Sequence, residues 1–159
     1  MAIRLSARGI IIHDEKILLN SLAGGTYYNF PGGKVEDTET APETVAREVR
    51  EETGYAVSVG DYIFTYEYEP DRCAHFDGDC HRMHLFFRCS LKDGAEVAAP
   101  FHPDRDPNDL SPSRPVWVPL SDLKTISFIP SAIRESLLKY LNTGVFAPRY
   151  FECAKPQDT

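Results

Sequence analysis

Glu48, Glu51 and Glu52 stand at positions i, i+3 and i+4 of one stretch of this 159-residue chain. That spacing puts all three carboxylates on one side of an α-helix. Like charges held so closely repel, and the arrangement is costly unless something neutralises it. A divalent cation does so, and oxygen ligands of this kind suit magnesium or manganese. Ions of that type commonly handle phosphate, so the chemistry these residues point to is metal-assisted handling of a phosphate group.

The surrounding residues supply a helix to carry them. Thr40 is placed to cap it, and Pro42 sits in the first turn, where a missing N–H costs little. Glu39 and Glu43 lie at the end where the helix dipole favours negative charge. Val45, Val49 and Thr53 recur at i, i+4 and i+8 as a packing stripe, and Gly54 ends the helix. Glu43 and Arg47 are spaced for an ion pair, and Arg47 also reaches towards Glu51. Taken alone, this helix also reads as a solvated amphipathic segment. The preceding turn, Phe30-Pro31-Gly32-Gly33, changes that balance, because its glycines let backbone approach a ligand closely.

From Gly33 the pattern runs five residues to Glu39, seven to Arg47-Glu48-Val49, one to Glu51-Glu52 and one to Gly54. This 23-residue segment resembles the signature of the Nudix hydrolases at every fixed polar and glycine position. It departs at Tyr55, where the family usually has a bulky aliphatic residue, and at Thr38, where many members have glycine. The resemblance implies a single-domain α/β (α+β) fold, a mixed β-sheet sandwiched between helices. It also implies magnesium-dependent hydrolysis (manganese as the alternative ion) of a nucleoside diphosphate linked to another group. By motif position the Gly32 carbonyl, Glu48 and Glu52 would ligate the metal. Glu51 would be a further ligand or position water, and Arg47 would hold Glu39 and a catalytic glutamate. The general base in such proteins is a signature glutamate or an acid on a distant loop; Glu96, Asp104, Asp106 and Asp109 are candidates here. Degenerate members that only sense nucleotides usually lose a signature glutamate, whereas all are present in this chain.

Substrate signals are sparser. Pro70, fifteen residues beyond Tyr55, resembles a marker of the ADP-ribose pyrophosphatase subgroup. A housecleaning pyrophosphatase for nucleoside triphosphates, oxidised ones included, is the alternative. Tyr66, Tyr68 and Phe76 are candidate stacking platforms for a base, worth about 1–3 kcal/mol each, or simply core. Arg4 and Arg8 share a strand face and are spaced to meet phosphate or ribose; an edge-strand solubility role is the competing reading.

The rest of the chain reads as alternating elements. Strands are expected at 4–12, 16–21, 56–67 (straight or a bent pair), 81–91 and 116–118, while 27–30 lead into the Pro-Gly-Gly turn. Tyr62, Phe64, Tyr66 and Tyr68 should share one face, as should Met83, Leu85, Phe87 and Cys89. Residues 92–115, rich in Pro, Asp and Ser, read as a long loop. A second helix is expected over 130–141, burying Ile133, Leu137, Leu138 and Leu141. The domain is drawn as residues 1–141, with 142–159 as a tail of undetermined structure.

Cys73, His75, Cys80, His81 and His84 cluster with Asp77 and Asp79 between them, but no Cys-x2-Cys spacing supports zinc. A hairpin loop facing the cleft is preferred. A Cys73–Cys80 disulfide is not expected in a reducing compartment. The chain has no 18-residue apolar run and no secretory leader, so a cytoplasmic protein without membrane partner is expected. The net charge of −7 argues against nucleic acid as a partner but permits an anionic nucleotide held through metal. Family members are often dimers, which leaves a homodimer open.

Overall fold

β1 (Arg4–His13) and β2 (Lys16–Leu22) form a hairpin across Asp14 and Glu15, both with positive φ (47° and 58°). Two such residues give the turn whose twist matches antiparallel strands. β3 (Tyr27–Asn29) and β4 (Gly32–Lys34) lead to α1 (Ala41–Thr53); β5 (Val57–Tyr68) and β6 (Arg82–Leu91) follow as a long antiparallel pair. β7 (Arg114–Pro119), β8 (Phe128–Ile129), α2 (Arg134–Thr143) and β9 (Tyr150–Glu152) complete the order. This computed structural model describes residues 2–73, 78–92 and 113–153. Most of the expected long loop, with Glu96, Asp104, Asp106 and Asp109, lies outside them, as do His75, Phe76 and Asp77.

One mixed sheet runs in the order β8-β3-β2-β1-β6-β5-β9, with β4 also paired to β1 and β7 to β2. β1 is therefore interior: it pairs in parallel with β6 from Arg4↔Arg82 to Ile11↔Cys89 and gives its other flank to β2 and β4. This removes the edge-strand reading of Arg4 and Arg8. Each face of the sheet has its own core. α1 covers one with Val45 and Val49, packed against Ala7, Ile11, Leu18 and Tyr55. The other gathers Phe30, Phe64, Phe86 and Phe128 with Ile133, Leu137 and Tyr140. Full burial of a side chain such as Val49 or Phe86 stabilises by about 1.5–3 kcal/mol. Among the described residues no helix is long and apolar enough to cross a membrane.

Several expectations need correction. Of the two readings of 56–67 the single strand holds, as Val57–Tyr68, but register shifts between Val59 and Tyr62 and between Tyr62 and Phe64 break the expected shared face. Tyr62 consequently packs with Phe87 on the α1 side, while Phe64, Tyr66 and Tyr68 lie in the other core. The second helix begins only at Arg134, after a 3-10 turn over Ser131–Ile133. Tyr140 is buried there, whereas Leu138 and Leu141 are partly buried. Residues 142–153 are structured as well. Arg149 donates to the carbonyls of Ile63 and Tyr62 (3.1 and 2.7 Å), β9 pairs in parallel with Thr65–Glu67, and Cys153 is disulfide-bonded to Cys73. Cys80 is free. Tyr150–Glu152 thus belong to the sheet, and the pairing of Cys73 is with a residue 80 positions away.

Candidate metal and phosphate site

α1 starts as its sequence dictates. Thr40 accepts from the Glu43 N–H, and the Glu43 carboxylate accepts from the Thr40 N–H at 2.8 Å, a reciprocal capping box. This occupies Glu43, so the expected Glu43–Arg47 pair is not formed. Gly54, at φ 79°, closes the helix, and Thr44, Val45, Val49 and Thr53 are its buried face.

Arg47 is the hub of the site. Its Nε and Nη2 grip the two oxygens of Glu39 at 2.5 and 3.0 Å. Nη1 donates to Glu48 (2.8 Å) and Glu51 (3.2 Å), and Nη2 also to the Lys34 carbonyl (3.3 Å). All five guanidinium donors are engaged, a geometry only arginine offers. These bonds, chiefly from Arg47, hold the Glu39 carboxyl down to about 2; the Thr44 hydroxyl and the Glu36 N–H act the same way. The carboxylates in turn hold the Arg47 guanidinium firmly protonated.

Glu52 sits apart from this cluster, part-buried between α1 and the sheet. Its Oε2 accepts from the Asn20 amide (2.9 Å) and from the Gly32 N–H (3.0 Å). Burial pushes its carboxyl above the usual carboxylate range, against the pull of Asn20, Arg8 and Gly32; the nearby Glu48 charge adds to the push. Asn20 is 3% exposed, and sequence reasoning passed over it. The signal was a polar residue at a fully buried position of an apolar strand. Its Oδ1 has no hydrogen-bond partner among the described residues.

The two glycines have separate tasks. A Cβ on Gly32 (φ 151°) would lie 2.2 Å from the Ala7 carbonyl oxygen and 2.6 Å from the Arg8 Cα. A Cβ on Gly33 would lie 2.4 Å from an oxygen of Glu48. Gly32 lets the turn press on β1; Gly33 leaves a cradle for a carboxylate. Tyr55, in the slot where an aliphatic residue was expected, is buried, and its hydroxyl accepts from Trp117 Nε1 at 3.0 Å. A large apolar body with a satisfied polar tip fills that slot without cost.

Among the described residues no three acidic, histidine or cysteine side chains converge into an ion cage. The structure brings Glu39, Glu48 and Glu51 together around Arg47 and holds Glu52 on the sheet side of the same helix. The donor set nonetheless fits a hard divalent ion: three carboxylates and a backbone carbonyl, all oxygen, with the Gly33 cradle and the orphaned Asn20 oxygen beside them.

Arg8, one of the substrate candidates, lies half-buried against this site, donating from Nη1 to the Phe30 carbonyl at 2.8 Å. Tyr66 and Tyr68 are 5% and 1% exposed, so their rings are core and not open stacking faces. Pro70 is the second residue of a turn closed by the Arg72 N–H on the Glu69 carbonyl, a position that proline pre-shapes. The cysteine–histidine cluster is dispersed. Cys73 is consumed by its disulfide, and His81 bonds Glu67 at 2.5 Å.

The family described as NUDIX domain matches residues 3–138, and the chain belongs to it. The chain is 42% identical over 67 residues to an ADP-ribose pyrophosphatase of Methanocaldococcus jannaschii, covering 40% of this chain and 39% of that protein. It is 39% identical over 66 residues to a CTP pyrophosphohydrolase of Escherichia coli strain K12, covering 38% and 47%. The chain thus spans less than half the length of these relatives. A NUDIX hydrolase from Nitrosomonas europaea shares the fold, with a TM-score of 0.66 at 21% identity over 98% of this chain and 81% of that one.

Proposed function

We propose that this chain hydrolyses a pyrophosphate bond in a nucleoside diphosphate linked to another group, with magnesium as the ion and an ADP-ribose-like compound as substrate. The observation that carries the reading is the complete acidic helix: Glu48, Glu51 and Glu52 all present, with Arg47 and Gly33 shaping their surroundings. Glu48, Glu51, Glu52 and the Gly32 carbonyl would hold the ion. When bound, a divalent metal polarises phosphate oxygens and lowers the pKa of an attacking water. Arg47 keeps Glu48 and Glu51 aimed while its own charge is balanced by Glu39. Asn20 and the Gly32 N–H orient Glu52, and Arg8 supplies positive charge next to it for a phosphate.

The identity to an ADP-ribose pyrophosphatase supports the favoured substrate class, and that to a CTP pyrophosphohydrolase supports a nucleoside triphosphate as the second reading. A magnesium-supplemented substrate panel separates them. ADP-ribose would yield AMP and ribose 5-phosphate; a triphosphate would yield a monophosphate and pyrophosphate. No turnover of either class would remove the hydrolase reading and leave a nucleotide-sensing module. Glu52→Gln is expected to lower turnover on the order of a thousandfold while the melting curve shows an intact fold. An active variant would show that Glu52 lacks the assigned role.

A further inference from the structure

We propose that His84 is a positioning residue for Arg8, fixing the guanidinium that grips a substrate phosphate beside Glu52; this rests on the hydrolase reading and deepens it. His84 lies on β6 in register with Ser6 of β1 and Tyr66 of β5, and is 4% exposed. Arg8 Nε lies 3.3 Å from His84 Nδ1. Arginine has no acceptor, so the histidine nitrogen must be the acceptor, and the neutral ring carries its proton on Nε2.

The guanidinium is thereby held at two corners, by His84 at Nε and by the Phe30 carbonyl at Nη1. Its Nη2 has no hydrogen-bond partner among the described residues. A half-buried arginine with unused donors is poised for an anion, since a planar fork matches phosphate geometry. The place is right as well. Arg8 acts electrostatically on Glu52, and the Gly32 backbone packs directly on its Cα and Cγ. A buried histidine is ordinarily a satisfied core group. Here one partner is a charge with donors to spare at the phosphate corner. Releasing Nε would let a long, flexible side chain leave its binding pose, and immobilising such a chain on binding weakens affinity by about tenfold.

The test measures calorimetric affinity for inorganic pyrophosphate with magnesium, alongside KM and kcat on the substrate panel. His84→Leu is expected to weaken pyrophosphate binding about tenfold and to raise KM more than it lowers kcat. His84→Asn, whose Oδ1 stands where Nδ1 stood, should stay within about twofold of wild type. Arg8→Ala should weaken binding to a similar degree, and adding His84→Leu to it should do nothing more. Should His84→Leu fail to fold, His84→Gln serves instead, because its polar atoms fall at the Nε2 position and leave Nε of Arg8 unmet. Equal loss in His84→Asn, a full additional loss on the Arg8→Ala background, or no pyrophosphate binding by wild type would overturn the proposal. If wild type turns over no substrate while the pyrophosphate series behaves as expected, the hydrolase reading falls and the His84 assignment stands.

Discussion

Arg47 shows how one side chain organises several. It neutralises Glu39 with two bonds and divides the remainder among Glu48, Glu51 and the Lys34 carbonyl. The pairing with Glu39 is linked to pH. Its carboxyl is held at about 2, below the ordinary value of 4.5, so the folded chain releases this proton more readily than the unfolded one. The stabilisation is therefore complete above pH 4.5 and fades as pH falls towards 2. Urea unfolding of wild type and Glu39→Gln at pH 7, 4 and 3 should show a stability difference that is constant at high pH and shrinks on acidification. A difference independent of pH would mean the ion pair contributes nothing. The partner of Glu39 was readable from signature spacing. Asn20 and His84 were not, because each meets its partner only across the sheet, 32 and 76 residues away in sequence.

At the scale of elements, α1 was legible almost residue by residue. Thr40, Val45, Val49, Thr53 and Gly54 follow local rules for caps and periodicity, and the structure puts each where those rules require. β5 was not. Strict alternation predicts Tyr62 beside Phe64, but two register shifts intervene, and bulges leave no mark in a tyrosine-rich strand. The Gly32-Gly33 turn lies between these cases: glycine at both positions signalled close approach, and the structure shows what approaches. Gly32→Ala would drive a methyl into the backbone of β1 and should destabilise by about 3 kcal/mol or more. Gly33→Ala collides only with the end of the flexible Glu48 side chain. It should melt within about 1 kcal/mol of wild type yet lose magnesium uptake in calorimetry. Equal thermal stability of the two variants would show that the glycines do not divide their tasks in this way.

Across the whole molecule, the Cys73–Cys153 bond ties the end of the described chain to the turn after β5, 80 residues earlier. Closing so long a loop restricts the unfolded chain and is worth about 4–5 kcal/mol. For a domain of this size that corresponds to a melting temperature lower by on the order of 10 °C in dithiothreitol or in Cys153→Ser. Identical melting with and without reductant would show that β9 is held by its strand pairing alone. No sequence pattern announced this bridge, since the two cysteines have only three-dimensional proximity in common. β9 covers only Thr65–Glu67 of the outer strand, and just before it Arg149 plugs the carbonyls of Tyr62 and Ile63. A cationic stopper on a contorted margin denies a neighbouring polypeptide the straight row of acceptors that fibril growth requires. The residues that fasten 149–153 to the sheet thus also guard its margin against polymerisation.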